Sequence, residues 1–254
     1  IFGTLSSTGR LVLVRPAGIA VGAGAVVDTA GFTASTLRMS EADALAGRLR
    51  FGDGGLAGSL GVNGQVVARS GDVVLIAPNV QTGEQAVVQS PNGATVIAAG
   101  QKVELTGRGL EGIRLELQAP DNQAVNLGQI QGDAVGVFAG QLRHSGLIQA
   151  TAVTAEGGKV VLKAQGEADV AGRVTAQKAS LGGQIHATAS KVRLRSGAVI
   201  DASGAAGGGE VLVGGGWQGQ DARISNAMQT TAEAGSTVRA DATDQGPGGT
   251  VVLW

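Results

Sequence analysis

Apolar and polar residues alternate with a period of two in many short runs, and glycines separate the runs. In "GLIQATA" at 146–152 the alternation places Ile148, Ala150 and Ala152 on one face, and in "GGKVVLKA" at 157–164 it does the same for Val160, Leu162 and Ala164. Two short patterns recur in strict alternation from residue 146 onward. One is G-x-I/V-x-A, seen as "GLIQA" at 146–150, "GRVTA" at 172–176, "AVIDA" at 198–202 and "STVRADA" at 236–242. The other is G-G-x-V/I-x-L/A, seen as "GGKVVLKA", "GGQIHATA" at 182–189, "GGEVLV" at 208–213 and "GGTVVL" at 248–253. Gly146 to Gly172 is 26 residues, Gly172 to Gly197 is 25, and Gly183 to Gly208 is 25. The last step is longer because "GGGWQGQDARISNAMQTT" at 214–231 is inserted.

Strands this short cannot bury a face alone, whereas stacked copies pair with their equivalents above and below and close a continuous core. A repeat near 25 residues with no helical periodicity is too short for a four-stranded propeller blade, and the leucine-asparagine framework of leucine-rich repeats is missing. The pattern predicts an all-β, right-handed parallel β-helix of roughly eleven rungs with small extra-helical insertions, a rod of about 50–55 Å at ~4.8 Å per rung. Weaker copies extend it toward the amino terminus: "GRLVLVRPAG" at 9–18, "GQVVARSGDVVLIAP" at 64–78, "GATVIAAGQKVELTG" at 93–107 and "AVNLGQI" at 124–130. One segment departs from it. "SEADALAG" at 40–47 has Ser40 and Asp43 in capping-box spacing and Gly47 as a stop, and reads either as one or two external helical turns or as a polar loop.

Composition sharpens this picture. Hydrophobic residues make up 43% of the 254, but with only 4 Phe, 2 Trp and no Tyr the core must be built from small and β-branched side chains, which suit a narrow, regular interior. The 44 glycines against 5 prolines point to many tight turns. Net charge is −1, and no basic stripe supports nucleic-acid binding. No apolar run reaches membrane-spanning length. With no cysteine, disulfides, thiolate catalysis and cysteine metal sites are excluded together.

Candidate chemistry is sparse. Asp28, Asp72, Asp133, Asp169, Asp201, Asp221 and Asp241 are dispersed and read as solvated turn residues rather than the facing carboxylate pair that glycoside hydrolysis needs. His144 and His186 fall in separate rungs and read as surface histidines, not as metal ligands or general bases. There is no G-x-S-x-G elbow and no phosphate-binding glycine loop, and "FGDGGLAG" at 51–58 is a single poor match to a calcium-binding repeat. The reading is therefore of a non-enzyme without cofactor or metal. The one candidate ligand contact is Trp217, in the glycine-rich insertion, with capping of an apolar edge as the alternative role.

The stretch "IFGTLSSTGRLVLVRPAGIAVGAGAVVDTAGFTAST" at 1–36 resembles the haemagglutination-activity, or secretion, domain of filamentous-haemagglutinin-like exoproteins, the passengers of two-partner secretion in Gram-negative bacteria. In that family an asparagine-proline-asparagine-glycine turn follows a strand; here it is Arg15-Pro16-Ala17-Gly18, which keeps the proline and glycine. "SGAVIDASGAAGGGEVLVGGGWQG" at 196–219 and "AGSTVRADATDQGPGGTVVLW" at 234–254 resemble late rungs of the same proteins, with Gly216 where an acidic residue is common. The resemblance implies the later part of the secretion domain at 1–115 and continuing rungs at 116–254, its amino-terminal start lying upstream of Ile1. It implies a structural or adhesive segment of a large secreted or surface-exposed exoprotein, exported through an outer-membrane transporter. The implied later partners are a host-cell, matrix or glycan receptor, or neighbouring copies in a fibre, without nucleic acid or membrane insertion. The alternatives are a glycan-binding or polysaccharide-processing passenger and the stalk of a contact-dependent toxin. The lack of cysteine fits, because a periplasmic disulfide would block threading.

Overall fold

A computed structural model of the chain describes residues 1–52, 56–106, 110, 113–116, 121–152 and 158–254. Residues 53–55 of "FGDGGLAG", 107 of "GATVIAAGQKVELTG" and 157 of "GGKVVLKA" lie outside them. The chain winds as a parallel β-helix with three sheet faces per coil. One turn of it runs Leu147–Ala152 on the first face, Lys159–Ala164 on the second and Glu167–Val170 on the third, before Arg173–Lys178 returns to the first. Each strand pairs in parallel with its equivalent one coil earlier and one coil later, so Ile148 lies between Ile130 and Val174, and Leu162 between Val137 and Ala187. That stacking satisfies the backbone groups that so short a strand would otherwise leave open.

Among the described residues the coils number nine, from Thr4–Ser6 to Thr237–Arg239 along the first face. This is fewer than the roughly eleven expected from the repeat length, and at ~4.8 Å per coil the rod is about 40 Å. Dividing the chain by one rung overcounts because in three connections, from Ser35 to Leu60, Ala99 to Gln123 and Val213 to Gln229, described residues leave the coil. All three leave at the same corner, between the second and third faces.

The core is a set of in-register columns. Val27, Val66, Val88, Ile130, Ile148, Val174 and Ile200 stack one above another on the first face, each fully buried. Burying one such side chain contributes about 1.5–3 kcal/mol, and the repetition is what holds the rod. The residues expected to point inward do so: Ile148, Ala150, Val160, Leu162, Ile200, Ala202, Val211 and Val213 are all at 0% exposure. The glycines of 207–209 allow coils to close on each other, since a Cβ on Gly208 would collide with the Ala240 carbonyl oxygen.

The first two departing segments build a second, outer core. "SEADALAG" is a helix, Glu41–Leu45, whose N-cap Ser40 accepts from the Asp43 amide at 3.1 Å and whose stop, Gly47, has φ +64°. After it, Leu49–Phe51 pairs antiparallel with Lys102–Leu105, which pairs in turn with Ile113–Glu116. "KVEL" at 102–105 therefore belongs to this outer sheet and not to a coil, although it carries the same alternation as the coil strands. Phe51, Leu37 and Val103 pack on Val74, Ile76, Val96 and Ala98, the outward side chains of the second face. That face is consequently apolar on both sides, and the outer sheet keeps it from water.

Candidate functional site

The "RPAG" turn closes as the spacing implies. Gly18 donates its amide to the Arg15 carbonyl at 3.1 Å with φ +122°, a backbone angle that favours glycine. The turn is pinned by the first departing segment: the Gly58 amide donates to the Pro16 carbonyl at 2.8 Å, and a Cβ at position 58 would meet Ala17 at 2.6 Å. Two glycines forty residues apart thus hold one corner.

Trp217 opens a short 3-10 turn, Trp217–Gly219, in the third departing segment and is 68% exposed. Its loop is nonetheless tightly closed: Gly219 donates to the Gly216 carbonyl at 3.0 Å, and Asn226 donates its side-chain amide to the Gly219 carbonyl at 3.0 Å. Arg223 binds Asp221 through Nε at 2.9 Å and a terminal nitrogen at 2.8 Å, and these bonds, together with the Arg223 backbone amide, hold the Asp221 carboxyl down at about 2. Gln218 sits at φ 54°, a left-handed conformation that a residue with a side chain seldom adopts. Trp254 lies against Gly215 and Gly219, where a Cβ would stand 2.8 Å from its ring. Leu212 and Val252, outward residues of the second face in the last two coils, are nevertheless buried.

The histidines divide. His186 is outward, as expected, and its Nε2 lies 2.8 Å from a Glu210 carboxylate oxygen in the next coil. His144 corrects the surface reading: it is 1% exposed and points into the coil. Asn126 Oδ1 accepts from both the Thr82 hydroxyl and the Gly128 amide, so its Nδ2 donates to His144 Nδ1 at 3.0 Å. That fixes a neutral imidazole whose Nε2–H donates to the Arg173 carbonyl at 3.2 Å. Burial, only partly offset by these bonds, pushes His144 down to about 4. A proton-transfer role is closed to a side chain with both nitrogens occupied inside the core. The signal was present in "QLRH", where period two puts His144 on the same face as Leu142.

Several aspartates are strand residues with arginine partners rather than free turn residues. Asp169 takes two bonds from Arg195, at 2.8 and 2.7 Å, which hold its carboxyl below the usual range. Asp28 pairs with Arg69, and Asp201 with Arg239 at 2.8 Å. Asp201, Asp221 and Asp241 do not stack: Asp201 pairs in register with Arg239, and Asp221 stands in the departing loop. Among the described residues, no three His, Cys, Asp or Glu side chains are placed to hold a metal ion.

A feature without a motif lies on the third face. Ser59, Asn63, Asn79, Gln81 and Gln123 line a shallow groove over Gly61 and Val125, spanning three coils. Side chains on strands of different coils build it, so no contiguous stretch announces it.

Comparison with known proteins agrees with this architecture. Residues 1–213 match the family described as TPS secretion domain. In structure the chain is similar to the HMW1 secretion domain from Haemophilus influenzae, with a TM-score of 0.86 and 34% identity over 94% of this chain and 66% of that one. It thus spans about two thirds of that chain's length. No curated protein matches it in sequence. With the match running over most of the nine-coil solenoid, the chain belongs to the TPS secretion-domain family, the domains of exoproteins exported by two-partner secretion in Gram-negative bacteria.

Proposed function

We propose that this chain directs export of a large adhesive or filamentous exoprotein and afterwards forms its structural rod on the cell surface. The observation that carries the reading is the nearest-neighbour stacking of a cysteine-free chain: among the described residues, the strands of each coil pair in parallel with those of the coils before and after it. Such a chain can be threaded unfolded through an outer-membrane transporter and can fold coil by coil as it emerges. The role is structural rather than catalytic. What supports this is the engagement of Asp28, Asp169, Asp201 and Asp221 with arginines and the burial of His144. Later partners are a receptor on host cells or matrix, or neighbouring copies in a fibre.

Co-expression with the partner transporter tests the export step. The chain is expected in the medium only when the transporter is present, and release without it would overturn the reading. Deleting the chain's surface-exposed faces from the full exoprotein by point substitution, and scoring adherence to epithelial cells, tests the adhesive part. The exposure of Trp217 on a rigid loop favours a second reading, in which the passenger itself contacts glycans there; Trp217→Ala would then reduce glycan retention.

A further inference from the structure

We propose that the groove on the third face binds a neutral oligosaccharide. The proposal deepens the adhesive reading and rests on it for biological meaning, but it places the contact on the opposite half of the rod from Trp217.

The groove exists because position 61 is glycine. Along the outward column of the third face, Gly61 stands between Ala20 and Gln81, and nothing lies within 4 Å of where its Cβ would be. The missing side chain leaves a depression. Ser59, Asn79 and Gln123 form one wall and Asn63 the other, while Gln81 and Val125 continue the floor into the next coils. None of the side chains lining it is ionisable. That selects against charged ligands, because a carboxylate or ammonium would lose hydration there without gaining a counter-charge.

The polar groups that remain are one hydroxyl and four amides. Each amide both donates and accepts, which matches the hydroxyl pairs of a sugar. The wall is pre-positioned: Asn79 Oδ1 accepts the Gln123 backbone amide at 3.1 Å, which directs Nδ2 away from the sheet. Beneath it, buried Asn122 donates to the Pro78 carbonyl at 2.9 Å and locks the adjoining corner. Side-chain amides of Gln81 and Gln123 have no protein partner among the described residues and are free to meet a ligand. Half-buried Val125 offers a small apolar surface to sugar C–H groups. The coil repeat of about 4.8 Å places equivalent donors in steps along the rod, which suits an extended chain of repeating units better than a compact ligand.

The test titrates the chain, by calorimetry and ligand-observed NMR, with maltotriose, triacetylchitotriose and 3′-sialyllactose. At least one neutral trisaccharide is expected to bind saturably, and the sialylated one at least tenfold more weakly. Gly61→Phe fills the depression at a position with free space, so it is expected to abolish binding while leaving the melting temperature unchanged. The pair Gln81→Ala and Gln123→Ala is expected to weaken binding about tenfold, and Trp217→Ala to leave it intact. The proposal is overturned if neither neutral sugar binds, or if binding survives Gly61→Phe. Binding lost in Trp217→Ala but kept in Gly61→Phe also overturns the groove while leaving the adhesive reading standing. That reading fails separately, if the full exoprotein supports no adherence at all.

Discussion

Asn126 donates its side-chain amide to Nδ1 of His144 across adjacent coils, at 3.0 Å and inside the solenoid. Thr82 below and Val170 above occupy the same column, so a three-residue polar ladder is enclosed between apolar coils.

The ladder makes stability depend on pH. His144 titrates near 6.5 when unfolded and at about 4 in the folded chain, because burial disfavours its charged form. Below 6.5 the unfolded chain takes up a proton that the folded chain refuses, so stability is full above 6.5 and is lost as pH falls toward 4. The loss reaches about 3 kcal/mol. Denaturant titrations at pH 7.5, 6 and 5 check this; His144→Gln is expected to remove its share of the slope between 6.5 and 5.

Charges on the inward columns should be far more damaging. Ile148→Asp or Leu162→Asp buries an unpaired carboxylate at positions with 0% exposure and is expected to cost several kcal/mol. Circular dichroism and thermal melting read the result; unchanged melts for both variants would disprove the assigned inward face.

The outer core should come apart on its own. Phe51→Ala leaves a cavity between the antiparallel sheet and the second face and is expected to cost about 3–5 kcal/mol locally. Hydrogen exchange is expected to rise at 37–52 and 102–105 while the inner columns stay protected, since the coils pair without that layer.

Glycines differ sharply in what they tolerate. Gly208→Ala pushes a methyl group into the Ala240 carbonyl and is expected to destabilise by about 1–3 kcal/mol, whereas Gly61→Ala enters open space and is expected to be close to neutral. Melting temperatures of the two variants decide it, and equal shifts would contradict the packing.

Much of this was legible in the residues alone. The period-two runs and the glycine spacing determined that the chain coils, which side chains line the core of the later rungs, and that His186 faces outward. Those are local properties: a pleated strand alternates its faces whatever surrounds it, and a glycine marks a corner because other residues resist the angle or the close approach. The resemblance at 1–36 named the family on the same local evidence. What only the tertiary structure decided depends on contacts between distant segments. Alternation could not tell "KVEL" at 102–105 from a coil strand, because an antiparallel outer strand alternates equally; only its pairing with Leu49–Phe51 shows where it belongs. The number of coils fell to nine for the same reason, as chain spent on the outer layer carries the same pattern. The groove was invisible because its amides come from strands about twenty and forty residues apart, and stacking alone brings them side by side.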